Sequence, residues 1–216
     1  MTQTTDVIAR LSQEAQAVTP MRTPRDWAVR LLFVLAIYGV VSQAMLGIRA
    51  DLWIQFSRPL FSLEIILLAL LILLNGFASM LSMYPDAYQK KHLLFWPLAI
   101  LAMLLGLIAC QFVLAQDIRM VIPAGELAHT KECAICVASL ALIPSAFMFA
   151  LLRKGAPVHL RQAGIFTVLA ASGIGCLTLR LSEANDSIMH LALWHYIPTL
   201  LFAVLGAFCG RMLLRW

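Results

Sequence analysis

The sequence predicts an all-α fold: a polytopic membrane protein, a bundle of six transmembrane helices with short loops, preceded by a cytoplasmic N-terminal amphipathic helix. Three observations predict it. The chain of 216 residues is 62% hydrophobic and 12% charged, with a mean hydropathy of +0.87. That charge content is about half that of a soluble domain, so most of its surface has to meet lipid. Six apolar runs are each long enough, at roughly 20 residues, to cross the hydrocarbon layer as helices. The gaps between them are short and carry turn or stop chemistry.

The tail, residues 1–26, forms one region and residues 27–216 the transmembrane domain. Nothing in the tail resembles a cleavable secretion signal, because it has no apolar core. Within it, "TTDVIARLSQEAQAVTPMRTPRDW" predicts a short helix. Thr5 can cap it, Asp6 suits its positive start, and Val7, Ile8, Leu11, Ala15 and Val18 recur at helical spacing. Pro20 and Pro24 stop it before the membrane. A helix this short is marginal in water, so its apolar stripe needs a surface, either lipid or the groove of a soluble partner. Arg10, Asp6 and Glu14 leave it near neutral, which favours a protein over anionic lipid.

The spans fall at 27–46, 59–81, 93–115, 132–152, 162–181 and 191–213. Pro85, Asp86, Lys90 and Lys91 divide the second from the third. Orientation follows from Lys and Arg. Eleven of them (Arg10, Arg22, Arg25, Arg30, Lys90, Lys91, Arg153, Lys154, Arg161, Arg211 and Arg215) fall on the side of the termini, and five on the other. Both termini are therefore expected in the cytoplasm. The net charge of +5 is spread over short loops rather than gathered into a patch, which argues against direct nucleic-acid binding. Gly206 and Gly210, and Ala171 and Gly175, have the spacing that lets helix backbones approach in lipid. Pro144 and Pro198 are expected to kink the fourth and sixth spans.

Chemistry concentrates at the outer rim. In "HTKECAICV" the pair Cys133 and Cys136 stands where a polar loop meets the fourth span, and Cys110 and Cys176 lie at similar depth in the third and fifth. Around them are His129, Glu132, Glu183, His190 and His195. Thiolates and imidazoles select soft or borderline metals, and an exposed low-pKa thiol senses oxidants. The C-x-x-C pair could also close a disulfide. Against this, cysteine in an apolar helix usually packs as a small hydrophobe, and a single C-x-x-C is weak evidence for a zinc site. Glu132, Glu183, His190 and His195 could complete a metal or proton-sensing cluster, while Trp194 and Tyr196 also fit an interfacial aromatic belt. Glu64 is the acid well within a span; its expected partner is Arg58 or Arg49. No chain of buried acids and bases is expected to run through the spans, and no phosphate loop, protease motif or nucleophile elbow is present.

The segments "MRTPRDWAVRLL", "GIRADL", "RPLFSLEIILL" and "LLRKGAPVHLRQAG", and above all "LRLSEANDSIMHLALWHYIPTLLFAVLGAFCGRMLLRW", resemble the NrsF-type bacterial anti-sigma factors over essentially the whole chain. The D-S-x-x-H-x-x-x-W-H box and the arginine-tryptophan terminus carry most of the likeness. The resemblance implies a non-enzymatic, multi-pass protein of the bacterial inner membrane. It implies that the protein sequesters an extracytoplasmic-function sigma factor and releases it under envelope stress from heavy metals or oxidants. Val7, Ile8, Leu11, Ala15 and Val18 would then bind the sigma factor, and Cys133 would be the first sensing thiol. The family's second sensing cysteine falls near Glu183 in this chain, so Cys136 or Cys176 substitutes for it or the signal differs. No cofactor is implied beyond transient heavy-metal binding at thiols, and the oligomeric state is open. Two other classes compete: a quinone-coupled thiol-disulfide oxidoreductase using Cys133 and Cys136, and a small-solute transporter lined by Glu64 and Asn75.

Overall fold

The computed structural model describes residues 2–14, 21–114 and 131–215. Its regular structure is helical, with no strand among the described residues. We number the helices α1 (Thr2–Glu14), α2 (Pro24–Leu46), α3 (Leu52–Phe56), α4 (Pro59–Leu81), α5 (Lys91–Leu114), α6 (Lys131–Leu152), α7 (Leu160–Ser182) and α8 (Ile188–Leu213). The helices α2, α4, α5, α6, α7 and α8 are long and apolar enough to cross a membrane. Their limits match the six apolar runs of the sequence to within a few residues.

Local chemistry explains the ends. Thr23 precedes α2 and its Oγ1 accepts a hydrogen bond from the Asp26 backbone N–H at 3.3 Å, with Pro24 preset for the first turn. Gly47 ends α2 at φ +84, a backbone conformation that a side chain would strain. Pro59 opens α4, a 3-10 turn over Pro85–Lys90 leads into α5, and Ser187 caps the entry of α8. Pro97 and Pro144 lie inside α5 and α6, which continue through them. The irregularity expected at Pro198 lies just ahead of it, as a π turn over Leu191–Tyr196. Proline offers no N–H to the carbonyl four residues back, so the ladder upstream slips to five-residue bonds, as in Ile197 N–H to the Ala192 carbonyl.

The bundle is built around α7, which is buried along most of its length from Ala163 to Arg180. Side chains on its two ends join separate apolar clusters, one with Leu31, Met80, Met148 and Leu152, the other with Leu68, Leu104, Val137 and Leu191. Its closest approach is to α8. A Cβ added at Gly164 would lie 2.0 Å from the Gly206 carbonyl oxygen, and one at Gly210 would lie 2.2 Å from that of Leu160. The spacing of Gly206 and Gly210 thus marks a true backbone-to-backbone seam. Gly175 likewise sits against the Val137 carbonyl of α6, and Gly173 against Ile72 of α4. Two polar contacts tie the bundle in its interior: Ser79 Oγ to Thr167 Oγ1 at 2.9 Å, and the Tyr38 hydroxyl donating to the Leu140 carbonyl at 2.9 Å. Large apolar side chains such as Phe33, Val40, Phe95 and Leu142 face outward, as a lipid-facing belt requires.

The tail helix α1 begins at Thr2, ahead of the expected cap at Thr5, and ends at Glu14. Residues 4–14 are exposed throughout, including Val7, Ile8 and Leu11. Ala15 and Val18 lie outside the described residues.

Replacing Gly164 with leucine should drive a side chain into the Gly206 carbonyl and part α7 from α8. A loss of at least about 1–3 kcal/mol of stability is expected, measured as a lowered thermal midpoint in detergent, whereas leucine at the open Gly106 should leave it unchanged.

Candidate functional site

At the end of the bundle away from the termini, five short residues join α7 to α8: Glu183, Ala184, Asn185, Asp186 and Ser187. Two carboxylates on this linker face different partners, and around them two polar assemblies form.

The first is ionic. Arg49, in the turn after α2, grips Asp51 and Asp186 with paired contacts of 2.7–3.0 Å, and its backbone N–H donates to the Leu181 carbonyl at 3.0 Å. Such forked contacts are the strong ones. Asp186 also receives Arg180 Nη1 at 2.6 Å, and Arg180 Nε stands 3.2 Å from both oxygens of Glu64. The Tyr196 hydroxyl donates to Glu64 as well, and the Phe61 ring covers the Arg180 guanidinium at 4.8 Å. Glu64 and Arg180 are almost fully buried. Asp51 and Asp186 hold Arg49 charged and push its pKa up. In return the Arg49 hydrogen bonds keep the Asp51 carboxyl well below the usual range. Burial pushes Asp186 up, but its bonds to Arg49 and Arg180 outweigh that and hold it low. Glu64 therefore pairs with Arg180 and Tyr196, not with Arg58 or Arg49 as the sequence suggested. The acids and arginines form a compact cluster at this end of the bundle. Sequence order hid it, because Glu64 and Arg180 meet only through the phases of two helices.

The second assembly joins Cys133 at the start of α6, Glu183 on the linker, and His190 and His195 on α8, with one ligand atom from each lying within 4.8 Å of the others. Cys133 Sγ is 3.6 Å from Glu183 Oε2, His190 Nε2 3.0 Å from Oε1, and His195 Nε2 3.4 Å from Oε2. The two imidazoles are buried, and neither Nε2 meets the carboxylate at a hydrogen-bonding angle, although the distances are short. Burial pushes the Glu183 carboxyl up, but the two imidazoles outweigh it and leave it below the usual carboxylate range.

The π turn makes this possible. Residues five apart on a regular α-helix diverge by about 140°. His190 and His195 are five apart, yet their rings stand 5.3 Å apart, edge to face, because Leu191–Tyr196 winds with the wider pitch. The same turn aims Tyr196 the other way, at Glu64. The His195 carbonyl accepts from Thr199 Oγ1 at 2.8 Å, and Cys176 Sγ lies 3.1 Å from that hydroxyl.

Of the residues singled out by sequence, the structure brings together Cys133, Glu183, His190 and His195. Cys136 is half-buried one turn further along α6, Cys176 is buried deeper against Thr199, and Glu132 is exposed beside the group without joining it. His129 lies outside the described residues. Cysteines 110, 133, 136, 176 and 209 are free thiols, with Cys110 on the exposed face of α5. Asn75 is buried and its side-chain amide donates to the Leu71 carbonyl of its own helix at 2.8 Å. Sequence reasoning missed Arg49, Arg180, Asp186 and Tyr196 as a unit. The available signal was arginine and aspartate at positions where the surrounding runs are apolar. A thiol, a carboxylate and two imidazoles can bind a borderline divalent ion, exchange protons, or be oxidised at sulfur.

Fold and site define a class: an all-α polytopic bundle with two polar assemblies, one ionic and one of thiol, carboxylate and imidazoles, at one end. Within that class the chain belongs to the NrsF family, negative regulators of sigma F, whose family model matches residues 11–216. That places it among negative regulators of a sigma factor. Searches of curated proteins and of solved structures each returned no match.

Removing one member of the buried pair should cost more than removing both. Glu64→Ala leaves Arg180 with Asp186 as its remaining acidic partner and the buried Tyr196 hydroxyl without its acceptor, and is expected to cost about 1–3 kcal/mol, whereas Glu64→Leu with Arg180→Met should be closer to neutral. Denaturation of the purified proteins in detergent, comparing the single with the double variant, checks this.

Proposed function

We propose that this chain is an integral inner-membrane anti-sigma factor, with both termini in the cytoplasm, that sequesters an extracytoplasmic-function sigma factor and releases it on envelope stress. The observation that carries the reading is α1 together with the family match. α1 is a helix whose Val7, Ile8 and Leu11 are 55%, 60% and 63% exposed and so lie uncovered by the bundle. A short apolar helix face left open is suited to a groove on a soluble partner. The distribution of Lys and Arg supports the orientation, since eleven of them lie at the end with the termini. In this reading Cys133, Glu183, His190 and His195 lie at the outer end of the bundle, the end that heavy metals and oxidants reach first. Cys133 is the sensing thiol in this reading. No catalysis and no nucleic-acid contact is required, because the output is the amount of free sigma factor.

The docking helix is tested with the full-length protein in membranes, co-expressed with an extracytoplasmic-function sigma factor of the same organism. Retention of that sigma factor is expected, and Val7→Asp with Leu11→Asp should weaken it at least about tenfold, the loss of one to two well-packed anchors. Equal retention by the variant, or none by the parent, would defeat the reading.

Sidedness has its own test. A membrane-impermeant maleimide added to spheroplasts should label Cys133 in a chain whose other cysteines are serine, and should not label a cysteine placed at Ser12. The reverse pattern would turn the proposed sensor to the wrong side.

A further inference from the structure

We propose that Cys133, Glu183, His190 and His195 form a built site for one divalent cation of zinc's chemical class. This deepens the sensor reading above and rests on it only for its consequence in the cell; the binding itself rests on geometry.

The spacing is the first argument. With metal–nitrogen and metal–oxygen bonds near 2.0–2.1 Å and metal–sulfur near 2.3 Å, ligand atoms around a tetrahedral ion lie roughly 3.3–3.7 Å apart. Here Glu183 Oε2 stands 3.4 Å from His195 Nε2 and 3.6 Å from Cys133 Sγ, and its Oε1 stands 3.0 Å from His190 Nε2. All four donors fall within 4.8 Å of one another, so a closure of about 1 Å at the widest pair completes the set.

The second argument is the unsatisfied nitrogen. The His190 and His195 side chains are 1% and 2% exposed, and both Nε2 atoms point into the group, 3.0 and 3.4 Å from the Glu183 carboxylate but short of a regular hydrogen bond. Buried polar atoms left in that condition are costly, and a cation at the centre of the four donors would engage both at once.

Charge and donor type then select the ion. A thiolate and a carboxylate carry two negative charges, which a divalent cation neutralises while both imidazoles stay neutral. One sulfur, two nitrogens and one oxygen suit zinc, cadmium or cobalt, and are poor for magnesium or calcium, which take oxygen ligands. The entrance is the linker, where Ala184 is exposed and the Glu183 side chain keeps 25% of its surface. A bound ion would bridge α6 to α8 through the linker. Filling the site, emptying it, or replacing its ion with a softer one would then change how firmly those helices are joined.

The test uses the full-length chain purified in detergent and stripped with a chelator, titrated separately with zinc and with cadmium chloride. One ion per chain is expected, with a thiolate-to-cadmium charge-transfer absorption in the ultraviolet. Cys133→Ser should abolish that band. His190→Gln and His195→Gln should each weaken zinc binding at least about a hundredfold, since even outer-shell changes reach that range. Cys136→Ser and Glu132→Gln should bind as the parent does. Absence of stoichiometric binding would overturn the site, as would a band that survives Cys133→Ser or disappears with Cys136→Ser, or equal competition by magnesium. Unchanged thermal midpoints of the near-isosteric variants separate lost ligation from lost folding. The titration contains no sigma factor and the capture experiment needs no metal, so failure of either inference is seen independently of the other.

Discussion

Arg180 and Glu64 set the terms for the rest of this bundle. Both are almost fully buried on helices long enough to span a membrane, α7 and α4. Buried in an apolar bundle, a guanidinium and a carboxylate are tolerated only when each finds charge and hydrogen bonds of the other kind. Their distribution meets that demand. Arg180 is shared by Glu64 and Asp186, Glu64 by Arg180 and Tyr196, and Asp186 by Arg180 and Arg49. Four separate stretches of chain are therefore bound to one point: the turn after α2, the start of α4, the end of α7 with its linker, and the start of α8. The apolar packing elsewhere is extensive but non-directional; this assembly fixes which way the helices face.

The linker between α7 and α8 gains its shape from being held on two sides. Asp186 is drawn to the two arginines, and Glu183, one turn's length earlier, to Cys133 and the two histidines. Tyr196 and His195 repeat the division on α8, adjacent residues reaching opposite assemblies. The buried ion network and the thiol-imidazole group thus have common walls, and any change in one is felt by a segment that also belongs to the other. The glycine seam at the far end of the same two helices gives α7 and α8 a second rigid attachment.

Much of the architecture was legible in the chain. Hydropathy located the six long helices to within a few residues because run length is a one-dimensional property. The close approach at Gly206 and Gly210 was visible as spacing, and Cys133, Glu183, His190 and His195 were visible as residue types. Phase was not. Pairing Glu64 with Arg180 depends on the rotation of α4 and α7 about their axes, which strongly apolar segments leave unmarked, since almost every face is oily. The meeting of His190 with His195 depends on a π turn, and regular helical spacing would have set them on different faces. Glu132, adjacent in sequence to Cys133, stays outside the group for the same reason, because neighbouring residues on a helix point apart.

The π turn has an effect well beyond the histidines. It inserts one residue's worth of winding between the polar rim and the Gly206–Gly210 seam, an offset of about 100°. Helix α8 can present imidazoles to Cys133 above and bare backbone to Gly164 below only because of that offset. Ironing the turn into regular helix would force a choice between the two contacts. The last helix is thus keyed at both ends, its polar rim beside α6 and its opposite tip against α7, and the π turn sets the angle between the two attachments.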